Sequence, residues 1–111
     1  MKNEMVTYGS RVALEEQGGG VSRKILSYND QMMIVEVHFE EGGIGAAHTH
    51  PHLQSTYVKS GVFRFTVEGE DVEVKEGDTL QFAANMVHGT VCLEKGVLID
   101  IFHPMREDFI K

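Results

Sequence analysis

An all-β, antiparallel sandwich or barrel is the fold class this sequence predicts, and three observations carry the prediction. Apolar residues recur at every second position along most of the chain, the mark of strands with one buried face. Glycine, present twelve times in 111 residues, punctuates those runs. No stretch holds the three-and-four spacing of an amphipathic helix.

Residues 11–14 read as an early edge strand, and Gly18-Gly19-Gly20 as a flexible loop dividing it from the main sheet. Residues 21–26 and 32–39 follow as strands separated by the polar turn Ser27-Tyr28-Asn29-Asp30. From Glu41 to Ala47 small residues break the pattern ahead of a histidine cluster. Strand resumes over residues 54–59, and Ser60-Gly61 turns the chain. Phe63, Phe65 and Val67 then share one face. Glu68-Gly69-Glu70-Asp71 has the composition of a hairpin turn leading to Val72-Glu73-Val74. Glu76-Gly77-Asp78 turns again, residues 79–82 and 88–93 are strands, and Gly96 opens a last run over residues 97–102. Such a series of roughly eight to ten short strands suits a double sheet or closed barrel, which leaves few exposed edges. Nothing in the sequence resembles a linker or repeat, so residues 1–111 are expected to form one domain.

Charge and cysteine content narrow the function. A formal charge of −7 with no Lys/Arg cluster argues against nucleic acid and against an anionic membrane surface. The single cysteine, Cys92, allows no internal disulfide and is expected to be a small core residue. The N-terminal residues lack the apolar run of a signal peptide, and no segment has the length and hydropathy of a membrane span, which predicts a cytoplasmic protein.

The histidines carry the chemistry. His48 and His50 stand two apart, so on a strand their rings point the same way and can converge on one ion. By itself that pair is as compatible with a solvated loop as with a metal site. Pro51 should bend the chain and turn His52 elsewhere, toward a supporting role or the substrate rim. His38 and His103 have no partner at ligand spacing and read as surface or hydrogen-bonded residues.

Two longer patterns resemble the cupin superfamily. Gly42, His48, His50, Gln54 and Gly61 fall on the first cupin motif, with Gln54 where glutamate usually stands. Gly77, Asp78 and His88 meet the second, with Ala83 replacing the usual proline and Asn85 the usual glycine. The resemblance implies a double-stranded β-helix, or jelly roll, with His48, His50, Gln54 and His88 at its mouth holding a divalent transition metal. Zn, Ni, Fe, Mn and Co all suit such ligands. A neutral set of three imidazoles and an amide leaves the ion its full positive charge, which favours an anionic substrate oxygen.

The run Asp100-Ile101-Phe102-His103-Pro104-Met105-Arg106, with His-x-His-Pro-His-x-Gln, resembles small single-domain cupins of the KdgF type. Those proteins linearise 4,5-unsaturated uronates released by pectin and alginate lyases. Departures are Leu53, often glutamate there, and Ala83 and Val87, often prolines. The resemblance implies that Asp100, Phe102 and Arg106 form the reaction face. The residues themselves agree with such roles. Asp100 is a carboxylate in an apolar strand, so it is paired, protonated or working. An ion pair with Arg64 or Arg106 is the plain alternative to a general acid/base. Arg106 has the fork to grip a substrate carboxylate or is a solvated tail residue, and Phe102 stacks on a sugar or fills the core. A cupin dioxygenase using Fe or Mn, and a binding module for sugar acids without activity, remain alternatives. Residues 11–14 and 21–26 as an open edge predict a homodimer, while Met32 and Met33 fit either an interface or the core.

Overall fold

The computed structural model describes residues 5–110. Its strands are β1 (Glu15–Gly18), β2 (Val21–Tyr28), β3 (Met33–Phe39), β4 (Ile44–His48), β5 (Leu53–Val67), β6 (Glu70–Lys75), β7 (Thr79–Phe82) and β8 (His88–His103). A single 3-10 turn at Gly9–Arg11 precedes them, and a short helix α1 (Glu107–Ile110) follows. Every pairing is antiparallel.

Two long strands organise the molecule. Residues 53–58 of β5 pair with β7 and with the C-terminal half of β8, which continues through β3 and β2 to β1. Residues 62–67 of β5 pair with β6 and with the N-terminal half of β8, which also carries β4. Two sheets therefore face each other and share β5 and β8, the jelly-roll arrangement. The hydrogen-bonded network has open ends at β1 and β6 and does not close on itself.

Alternation sets which side chains fill the space between. Phe63 and Phe65 of β5 join Phe39, Val58, Phe82, Cys92 and Leu98 in one buried cluster, while Met33, Val35 and Phe102 form a second beneath α1. Burying each large apolar side chain contributes roughly 1.5–3 kcal/mol. Cys92 lies in the core as expected, and of the two adjacent methionines Met33 is buried and Met32 exposed.

Several expectations from the sequence are corrected. Residues 11–14 are not a strand. The edge strand is β1, and Gly18, Gly19 and Gly20, all at positive φ, form a tight turn that brings it directly against β2. That edge carries Glu15 and Glu16, which discourage pairing with another strand. The small residues at 44–47 form β4, because its backbone passes so close to β8 that a Cβ on Gly89 would lie 2.9 Å from Ala47 Cα. Ser60-Gly61 and Glu94-Lys95-Gly96 are not turns between strands. They are bends within β5 and β8, where the ladder shifts register but continues. Among the described residues no helix is long and apolar enough to cross a membrane.

Candidate metal centre and cavity

β4 and β8 bring the first two ligands together, since His48 and His88 are register partners. His50 follows two residues on, held by the amide of Asn85 donating to its carbonyl at 2.8 Å. Asn85 has φ 65°, the left-handed conformation that explains why glycine is usual at this motif position and why asparagine is tolerated. The candidate ligand atoms of His48, His50 and His88 lie within 4.8 Å of one another, and ring centroids are 4.7–5.3 Å apart.

Ring orientation is fixed before any ion arrives. Nδ1–H of His48 donates to the Ala46 carbonyl at 2.9 Å, and that of His88 to the Met86 carbonyl at 3.0 Å. With Nδ1 as donor, Nε2 of each ring is left as a lone pair. The Phe82 ring lies flat against His88, centroids 4.3 Å apart and 8° from parallel. His88 Nε2 is buried and has no hydrogen-bond partner among the described residues, which is what a metal-ligating nitrogen looks like without its ion. His50 donates from Nε2 to Gln54 Oε1 at 3.0 Å. Burial lowers the His50 pKa to about 4, helped by the nearby Arg106 charge, and burial lowers that of His88 as well. Both are therefore neutral near pH 7, the form that binds metal. The three histidines fit a divalent transition ion, with His50 Nδ1 and His88 Nε2 both buried without a hydrogen-bond partner among the described residues, whereas the Gln54 amide oxygen would have to give up its bond from His50 to join them.

Gln54 also begins a relay away from the histidines. Its Nε2–H donates to Thr56 Oγ1 at 2.9 Å, and the Thr56 hydroxyl donates to Asp100 Oδ1 at 2.7 Å. Register makes this possible, because Thr56 of β5 sits opposite Asp100 of β8. Asp100 is held by these bonds and not by an arginine. Arg64 is exposed on the outer face, and both Nε and Nη2 of Arg106 donate to Asp108, at 3.0 and 2.8 Å. The alternative of an ion pair with Arg64 or Arg106 is thus not what is found; hydrogen bonds hold the carboxyl instead. Burial raises the Asp100 pKa to about 6, with Thr56, Gln54 and the His48 and Arg106 charges pulling against it. The residue keeps a little accessible surface, all the same, because it lines a cavity of about 360 Å³ between the sheets.

That cavity is bordered by His48, Gln54, His88, Asp100, Phe102 and Arg106. Phe102 is 2% exposed and lies edge-on to His50 at 5.7 Å and to Phe109 at 5.7 Å. His52 lies outside the three-histidine cluster, after a bend at Pro51 and His52, with its ring 6.5 Å from that of Phe102. His38 meets Glu36 at 2.9 Å, and His103 donates to the Gln31 carbonyl. Sequence reading missed Thr56, Asp108 and Arg23, which also borders the cavity. For Thr56 and Arg23 a signal existed, since each is a polar residue at an inward position of its strand.

Residues 35–102 match the cupin domain family, a span covering both histidine motifs. The chain belongs to the cupin family. Pectin degradation protein KdgF of Dickeya dadantii (strain 3937) is 47% identical to this cupin over 98 residues, 86% of this chain and 89% of that protein. The solved structure of KdgF from Halomonas sp. superposes with a TM-score of 0.88 at 32% identity, covering 93% of this cupin and 96% of that chain. An RmlC-like cupin from Shewanella frigidimarina NCIMB 400 superposes with a TM-score of 0.92 at 37% identity over 96% of each chain. The jelly roll read from the two motifs and the likeness to the KdgF type are both found.

Proposed function

We propose that this cupin opens the ring of 4,5-unsaturated uronates, the sugars left when polysaccharide lyases cut pectin or alginate. The observation that carries the reading is Asp100, a carboxyl with its pKa raised to about 6, sharing one cavity with the histidine cluster and Arg106. The 47% identity to a pectin degradation protein supports it. A divalent ion on His48, His50, Gln54 and His88 would supply positive charge beside the sugar's oxygens. Arg106 orients the substrate carboxylate from the amino group that Asp108 leaves over. Phe102 gives the ring an apolar wall. Asp100 then takes the proton of the anomeric hydroxyl as the C1 carbonyl forms and the bond from C1 to the ring oxygen breaks. The electron pair moves through that oxygen and the C4–C5 double bond, and Asp100 returns the proton to C4. The product is an open chain with an aldehyde at C1 and a ketone at C5, an isomerisation that consumes nothing else. A pKa near 6 suits a group that must both accept and give a proton near neutrality.

The test follows the absorbance of the conjugated double bond after mixing purified protein with lyase-generated monomer. Decay well above the rate in buffer is expected for the parent, with at least a hundredfold loss on Asp100→Asn, in line with general acid/base contributions of about 10²–10⁴. Decay no faster than in buffer, or an equally active variant, would remove the proposal.

A further inference from the structure

Arg23 lies on β2 at an inward position, register partner of Val37 and between Val21 and Ile25 on the same face. A cation there is costly unless something answers it. What answers it inside the protein is slight. Its Nε is buried without a hydrogen-bond partner among the described residues, and the Glu15 carboxylate stands 4.0 Å away, at the limit of an ion pair. The firmest contact is the Phe109 ring, whose centroid is 3.9 Å from the guanidinium carbon. Arg106 rests on the same ring at 4.3 Å. The two guanidinium carbons can therefore be no further apart than those two distances laid end to end. Of the pair, Arg106 has a two-pronged carboxylate partner, whereas among the described residues Arg23 has only the single distant contact with Glu15. Burial lowers the pKa of Arg23 and the Arg106 charge adds to the effect, against the pull of the Glu15 and Asp108 carboxylates. Both border the cavity that holds Asp100 and the histidines. In a chain of net charge −7, two cations gathered at one cavity wall mark a place for an anion.

We infer that Arg23 and Arg106, both held on the Phe109 ring, form a two-guanidinium clamp for the substrate carboxylate, which makes Arg23 a binding residue of this cavity. The inference rests on the cavity being a uronate site and adds the residue that distinguishes a sugar acid from a neutral sugar. Stacking on Phe109 fixes the Arg23 plane in advance, so little rotational freedom remains to be lost when a carboxylate arrives. The planar fork matches two carboxylate oxygens, which a lysine ammonium cannot do. The opposing role is mechanical: Arg23 could serve only to fasten α1, which carries Phe109, onto β2.

Calorimetric titration of the full chain with D-galacturonate and with its methyl ester separates these roles without requiring turnover. The parent is expected to bind the acid about tenfold or more tightly than the ester, as one charge-assisted contact implies. Arg23→Met should cut that preference about tenfold while leaving ester binding within twofold, and Arg23→Lys should fall between. A parent that binds acid and ester alike, or neither, overturns the inference. So does an Arg23→Met protein that weakens both ligands equally or loses thermal stability with its acid preference intact. The ring-opening reading stands or falls on turnover of the unsaturated sugar and is not decided by these ratios.

Discussion

At Asp100 the fold holds a carboxylate where water is scarce, and the cost is measurable. Its pKa rises from an ordinary 3.8 to about 6, so between those values the folded protein keeps a proton that the unfolded chain has lost. Stability therefore falls as pH rises through that window and stays lower above it. His50 acts in the opposite sense, because its pKa is lowered from 6.5 to about 4 and the folded state gains stability as pH rises across that range. In the metal-free parent the two slopes oppose each other between about pH 4 and 6. Asp100→Asn should unmask the histidine slope and, at pH 7.5, should raise stability by on the order of 2 kcal/mol, as a two-unit shift implies. Urea melts of parent and variant at pH 4, 6 and 7.5 check this, and a variant less stable than the parent at pH 7.5 would contradict it. Residues at this scale were unevenly legible. Spacing pointed to His48 and His50, the likeness to the cupin motifs added Gln54 and His88, and strand parity singled out Asp100. Thr56 went unnoticed because its task depends on the register that puts it opposite Asp100. Arg23 went unnoticed because Phe109, eighty-odd residues on, has to fold back beneath it.

At the scale of elements, β5 and β8 owe their length to two glycines that cross. Gly61 has φ 87°, and a Cβ there would sit 2.6 Å from the Glu94 carbonyl oxygen, while a Cβ on Gly96 would collide with the Ser60 carbonyl. Neither neighbour is a side chain that can swing away. Gly96→Ala is expected to cost about 2–4 kcal/mol, the range for a substitution that forces backbone apart, and differential scanning calorimetry reads it directly. A variant that melts within a degree of the parent would show that the strands do not need this approach. The same glycines explain why the sequence suggested four strands where there are two. Gly61 and Gly96 carry the signature of turns, and composition alone does not distinguish a chain that reverses from a strand that bends. β4 was hidden for a related reason, since glycine and alanine are poor strand formers unless another backbone must pass close by.

Across the whole molecule, the four candidate ligands come from β4, the loop after it, β5 and β8, so an ion on them would tie both sheets. A ligand present at a hundred times its dissociation constant adds about 2.7 kcal/mol of stability. For a domain of this size that is roughly 10–20 °C in Tm. Scanning the chelator-treated chain with Zn, Ni, Co, Mn and Fe(II) in turn should reveal at least one ion giving such a rise, and His88→Ala should abolish it. No response to any of the five would exclude the centre. For assembly the homodimer is retained as a proposal, but with a different surface from the one first expected. β1 presents glutamates, whereas Leu53, Tyr57 and Ile101 are exposed on the outer face of the larger sheet, with Met32 exposed just before β3. Sedimentation of the parent and of Ile101→Glu tests it, with a dimer expected for the first and a monomer for the second.

The backbone bonds that hold His48 and His88 have a kinetic corollary. Because each ring already donates to the carbonyl two residues before it, capture of an ion requires no turning of these side chains and no change of tautomer. At these two rings the slow event is then left to the ion, which must shed water before a nitrogen can replace it. Their step of loading should accordingly differ from metal to metal, sluggish for nickel and rapid for manganese or zinc, while closure of His50 and Gln54 onto the ion waits on opening of the bond between them.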